Sequence, residues 1–145
     1  MKKVVVGGTF DSLHKGHRYF LEKAASLGNV KIGLTSDEMA LETKGEGVES
    51  FEERSQHLLN FLSDIEIEKI DDSFGFAIKE DFDYIVASSD TRTRAEKINQ
   101  ERELLGKEKI EIVEVEFILA EDGEPISSTR IRAGEIDKEG NLIKE

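Results

Sequence analysis

The chain has no cysteine and no tryptophan, and a single proline in 145 residues. Without cysteine there is neither a disulfide framework nor a thiolate metal site, and no thiol nucleophile. Long apolar runs are missing as well, so nothing approaches a membrane-spanning length. The Met-Lys-Lys start lacks the apolar core of a signal peptide. Positive charge is in short supply: 20 Lys and Arg stand against 32 Asp and Glu, for a net charge of -12. A nucleic-acid or anionic-membrane surface is held mainly by Lys and Arg, so neither partner is expected. An anionic ligand would have to be met locally. These absences leave a cytoplasmic protein as the plain expectation. The length suits one domain, residues 1–145, with the oligomeric state left open and a monomer favoured. Abundant Glu and Lys fit either a heat-adapted protein or the coat of an ordinary α/β domain.

What is present alternates between strand and helix. Val4-Val5-Val6 is a β-branched run stopped by Gly7-Gly8, and apolar residues from Lys15 to Leu27 recur at helical spacing. Val30 to Leu34 reads as a second strand, and Thr35-Ser36-Asp37 caps a helix over Glu38 to Leu41. Two glycines between Thr43 and Ser50 predict a mobile loop. Phe51 to Leu62 is helical, Ile65, Ile67 and Ile70 mark a strand, and Tyr84 to Ala87 is a buried-type strand. Thr91 to Leu105 follows as a helix, Ile110 to Val115 as a strand, and a last helix starts within Ile126 to Arg132. This alternation predicts a Rossmann-like α/β fold: one mostly parallel sheet with helices on both faces. Ligands of such sheets bind beyond the carboxyl ends of the strands.

The stretch GGTFDSLHKGH, Gly7 to His17, falls at that end of the first strand. It holds two of the three histidines and three of the twelve glycines. Gly7 and Gly8 let the backbone turn sharply and let a ligand approach, and the helix start that follows favours an anion. His14 and His17 are three apart, so on a helix they share a face, with Gly16 between them. Each feature also has an ordinary structural reading. Gly-Gly after a strand is commonly a turn, and Asp11 or Ser12 serves as a helix cap. The combination is far more specific than its parts. His57, with no motif around it, reads as a surface residue. The acidic run Glu66 to Asp72 reads as a solvated face, and no metal site is expected among the protein's own residues.

Thr9-Phe10-Asp11 followed by His14-Lys15-Gly16-His17 resembles the first signature of the HIGH-motif nucleotidyltransferases. Ile126-Ser127-Ser128-Thr129-Arg130-Ile131-Arg132 resembles their second. Within that superfamily, Gly33 to Glu38, Lys44, Phe51 to Arg54, Ile98 to Arg102 and Asp122 to Pro125 are similar to the archaeal phosphopantetheine adenylyltransferases. That resemblance implies transfer of AMP from ATP to 4'-phosphopantetheine, giving dephospho-coenzyme A and pyrophosphate without a covalent intermediate. It implies that Thr9, His17 and Lys44 are catalytic, with Thr9 and Lys44 also meeting the acceptor. Gly8, the backbone of Phe10, His14, Gly16, Asn99, Arg102, Ser127, Ser128 and Thr129 would hold ATP. Gly16 would leave space for the base, and Lys44 would close over the site from the mobile loop. Magnesium would arrive with ATP. The pattern departs at Arg94-Ala95, where eukaryotic relatives often have Gly-Gly, and Arg94 either meets a phosphate or covers a helix. Alternatives from the same superfamily are a cytidylyltransferase or an FAD synthetase. A different class of alternative is a module that binds ATP or coenzyme A without turnover.

Overall fold

Five strands form one sheet in the order β3-β2-β1-β4-β5, every neighbouring pair parallel, in a computed structural model that describes residues 1–143. The strands are β1 (Lys3–Gly8), β2 (Asn29–Thr35), β3 (Glu66–Ile70), β4 (Tyr84–Ala87) and β5 (Glu111–Glu114). Between them run α1 (Lys15–Leu27), α2 (Asp37–Lys44), α3 (Phe51–Phe61), α4 (Arg92–Leu104) and, after β5, the short α5 (Ser128–Arg132). The α/β architecture expected from the alternation is therefore the observed one.

Sheet position follows sequence. β1 is the central strand; Val4 and Val6 face one side and Val5 the other, and all three are buried. On the first side Val4 and Val6 pack with Ile32 and Leu34 of β2, Leu21 and Ala24 of α1 and Leu58 of α3. On the second side Val5 and Ile85 pack with Ala95 and Ile98 of α4 and with Ala77 and Phe82. Burial on both faces is what a parallel strand rich in Val and Ile requires. The segment 71–82, which carried no strong periodicity, supplies Phe74, Phe76 and Phe82 to the second core as a cover over the sheet.

α2 runs through Lys44, so that residue ends a helix rather than belonging to a loop. The glycine-bearing connection is residues 45–50, with Gly45 and Gly47 in the left-handed region at φ +82° and +89°. It is tied down at Glu49. The backbone N–H of Glu49 donates to Asp11 (2.9 Å), and the backbone N–H of Ser12 donates to the Glu49 carboxylate (2.8 Å).

The strand order steps outward in opposite directions from β1, to β2 on one side and β4 on the other. Such a reversal leaves a crevice at the carboxyl ends of the two strands, where the loops diverge. Gly7 and Gly8 end β1 at that crevice, and Ser88 follows β4 there.

Candidate active site

A cleft of about 270 Å³ opens at this point. Gly8, Thr9, Phe10, His14, Gly16, His17, Lys44, Ser127, Ser128 and Thr129 all line it. Segments more than a hundred residues apart thus share one crevice. The joint is direct: the Ser128 hydroxyl donates to the Asp11 carbonyl (2.6 Å), and Arg132 pairs with the Asp11 carboxylate.

The approach to α1 is strained. Phe10 and Ser12 have positive φ, +50° and +64°, a region that costs ordinary residues free energy unless their surroundings hold them there. Phe10 is held by its ring, which is buried and stands edge-on to His17 at 5.3 Å between centroids. Asp11, 3 % exposed, gathers the Glu49 N–H, Arg132 and the Ser12 hydroxyl. It is a tie between segments, and neither it nor Ser12 caps α1.

The cap is His14. Its Nδ1 accepts from the backbone N–H of His17 (3.2 Å), and the Nδ1 of His17 accepts from the backbone N–H of His14 (3.3 Å). The two rings stack at 3.6 Å, 16° from parallel. An Nδ1 that accepts has no proton, so in the neutral ring the proton sits on Nε2. Each imidazole thus keeps one N–H donor for a ligand. Burial lowers the His14 pKa to about 4, helped by the nearby Arg18 charge. Burial also holds His17 well below the ordinary range, and His14, Lys44 and Arg18 push it the same way. Both rings are neutral near pH 7. Gly16 makes room for this stack, because a Cβ there would stand 3.0 Å from the His14 ring.

Thr9 is oriented by a chain of donors. Buried Arg54 donates to the Thr35 hydroxyl (3.1 Å), which donates in turn to the Thr9 hydroxyl (3.0 Å). The Thr9 proton is left for a ligand in the cleft. Across the crevice, Ser127 caps α5 by accepting from the Arg130 N–H (3.2 Å). Its hydroxyl proton also stays available. Ser128 differs, since its proton is committed to Asp11.

Two expected nucleotide contacts lie elsewhere. The Asn99 side chain exchanges two hydrogen bonds of 2.8 Å with the backbone of Ile110, joining α4 to the approach of β5. Arg102, 2 % exposed, donates to the carbonyls of Ala77, Ile78, Glu80 and Glu108 and pairs with Asp81 (2.8 Å). Neither side chain lines the cleft. Arg102 instead borders a groove at the amino ends of the strands, beside Lys3 and Asp83. Their donors are turned to backbone carbonyls and, in Arg102, to Asp81, away from the cleft, which corrects their assignment to the nucleotide pocket. The sequence reading also missed Arg54 and Asp11 as supports of the site. The signal for Arg54 was its place in the Phe51 to Arg54 stretch; for Asp11 it was adjacency to Thr9.

The fold and this cleft define a nucleotidyltransferase-type α/β protein. The cytidylyltransferase-like family model matches residues 5–134. The phosphopantetheine adenylyltransferase of Methanosarcina barkeri is 48% identical, covering 99% of this chain and 94% of that protein. The enzyme of the same name from Methanosarcina mazei is 49% identical, covering 100% of this chain and 99% of that protein. Among solved structures, a protein of unknown function from Archaeoglobus fulgidus superposes with a TM-score of 0.73 at 41% identity, over 78% of this chain and 88% of that one. The chain belongs to the cytidylyltransferase-like family and, within it, to the phosphopantetheine adenylyltransferases.

Proposed function

We propose that this chain transfers AMP from MgATP to 4'-phosphopantetheine, yielding dephospho-coenzyme A and pyrophosphate in coenzyme A biosynthesis. The observation that carries the reading is the meeting of the His14/His17 stack and the Ser127 to Arg132 segment across one cleft, in a chain of this family. An oxygen of the acceptor's phosphate attacks the α-phosphorus of ATP. As that bond forms, the bond from the α-phosphorus to the bridging oxygen breaks, and pyrophosphate leaves with the electron pair. Such a reaction needs alignment and charge stabilisation more than covalent help.

The residues supply that. Neutral His14 and His17 donate Nε2–H to phosphate oxygens as charge grows on them, and Thr9 donates its free hydroxyl proton to the reacting group. Lys44, close enough to His17 to depress its pKa, adds the positive charge that brings two phosphates together. Ser127 and Thr129, with the backbone of Gly8 and Phe10, hold the rest of ATP. Ser128 acts through Asp11, keeping the two halves of the cleft in register. Magnesium belongs to the nucleotide substrate, bound by phosphate oxygens. Among the described residues, no group of three His, Asp or Glu side chains converges as a metal cage. No helix described is long and apolar enough to cross a membrane. The enzyme acts in the cytoplasm on two small anions with no nucleic-acid or membrane partner, its oligomeric state open and a monomer favoured.

A pyrophosphate-release assay tests this, pairing ATP or CTP with phosphopantetheine, glycerol phosphate or FMN. Turnover is expected only for ATP with phosphopantetheine. Preference for CTP, or for either other acceptor, would overturn the assignment, as would tight ATP binding with no product under saturating acceptor.

A further inference from the structure

Six of the seven arginines have a carboxylate partner: Arg18, Arg54, Arg92, Arg102, Arg130 and Arg132 pair with acids on their own or neighbouring elements. Arg94 differs. Among the described residues it has no ion pair, and no hydrogen bond is formed by its guanidinium, although the chain carries a net charge of -12. It is not a solvated surface group either, being half-buried in the first turn of α4. There it lines a narrow pocket of about 40 Å³ between α4, the ends of β1 and β4, and the segment 73–77. This pocket adjoins the cleft, because Gly7 and Thr91 line both. Arg94 lies three residues beyond Thr91 and so shares its helix face.

Position relative to the reaction gives this cation a use. In-line transfer puts the attacking and leaving oxygens on opposite sides of the reacting phosphorus. With pyrophosphate leaving toward Ser127, which caps α5, the acceptor comes from another part of the cleft lining, and Gly7, Ser88 and Thr91, at the ends of β1 and β4 and the start of α4, form such a part. An acceptor that ends in a phosphate brings a second multiply charged anion beside the triphosphate, and Lys44 alone leaves much of that charge unmatched. We propose that Arg94 is a specificity-determining residue, pairing with the phosphate of the acceptor as it approaches from the α4 wall. This rests on the transfer reaction proposed above. A planar guanidinium offers two parallel donors to a phosphate, a geometry an ammonium cannot reproduce.

The test is calorimetric binding of 4'-phosphopantetheine and of unphosphorylated pantetheine to the full chain, as wild type, Arg94→Ala and Arg94→Lys. In the wild type the phosphate should tighten binding by about tenfold to a hundredfold, the range for a charge-assisted pair. Arg94→Ala should erase most of that increment, Arg94→Lys should restore part of it, and MgATP affinity should be unchanged in both. Melting temperatures should stay close to wild type, since the Arg94 guanidinium forms no ion pair or hydrogen bond among the described residues. An equal phosphate increment in wild type and Arg94→Ala overturns the inference, and so does a loss confined to MgATP. The pyrophosphate-release assay on wild type separates the two claims. Turnover together with an unchanged increment in Arg94→Ala sinks this inference alone, whereas no turnover sinks the proposed reaction whatever the binding shows.

Discussion

His14 and His17 owe their protonation to the same geometry that caps α1. With both Nδ1 atoms accepting from backbone, the Nε2–H groups are fixed as donors before a ligand arrives, and no free energy is spent selecting a tautomer. Removing one preorganised donor from a site that stabilises growing charge lowers turnover by about a hundredfold to a thousandfold. His17→Ala should show that loss in kcat by pyrophosphate release, and a near-normal rate would exclude its role. The pKa values carry a second consequence. The folded-state value of His14, about 4, lies below the ordinary 6.5, so the unfolded chain binds more protons between those values. Stability from the neutral ring is complete above pH 6.5 and is lost as pH falls toward 4, and the difference corresponds to about 3 kcal/mol. His14→Asn keeps a side chain able to cap the helix but cannot titrate. Urea unfolding at pH 7 and pH 4.5 should therefore show a smaller loss for His14→Asn than for wild type. Equal losses would mean that His14 is solvated in the folded state.

At the scale of elements, the same residues serve as joints. Asp11 ties the end of β1 to the 45–50 connection through Glu49 and to α5 through Arg132, while a Cβ added at Gly47 would stand 3.5 Å from the Arg132 side chain. Asp11→Asn weakens both ties at once. The expected outcome is faster cleavage at Glu46 by a Glu-specific protease and a raised KM for ATP, because the α5 wall is no longer held against Thr9. Unchanged cleavage would show that the connection is ordered without Asp11. The strands and helices themselves were legible because their signals are local. β-branched runs ended by glycine gave β1, and Ser36, which accepts from the Met39 N–H, gave the start of α2. Lys15 to Leu27 is α1 to the residue. The cleft was legible as two motifs, since each keeps its chemistry in consecutive residues. What the pattern could not convey was where a polar side chain on a helix points. Asn99 and Arg102 lie on α4, a helix made mostly of charged and polar residues, and only the packed chain shows them turned inward to carbonyls. That Lys44 closes α2 and does not open a loop was hidden for a related reason: a glycine cluster marks the end of a helix only to within a few residues.

For the whole molecule, Arg54 is the residue on which the ends of β1 and β2, and with them the site, depend. It is fully buried, and its guanidinium reaches the carbonyls of Thr9, Thr35 and Glu49, the Thr35 hydroxyl and the Asp37 carboxylate. These groups end β1, end β2, open α2 and precede α3, so one side chain sets the mutual position of four elements. A charge so placed would be costly were its donors not satisfied by fixed oxygens. Arg54→Met, close in shape, removes those donors and leaves buried carbonyls without partners. Leaving a buried acceptor unpaired costs about 1–3 kcal/mol, and for a chain of this size a loss of about 3 kcal/mol lowers Tm by about 10 °C. Arg54→Lys should not recover most of it, because a single ammonium cannot span the same fork of oxygens. Activity adds a readout that stability alone would not move. In Arg54→Lys the Thr35 hydroxyl loses its donor, so the Thr9 hydroxyl is no longer aligned, and kcat should fall at temperatures well below Tm while MgATP binding persists. Thermal unfolding, calorimetric titration and pyrophosphate release on the same preparation decide the matter: a Tm within about two or three degrees of wild type for Arg54→Met, or full kcat in Arg54→Lys, would show that the site holds its shape without this guanidinium.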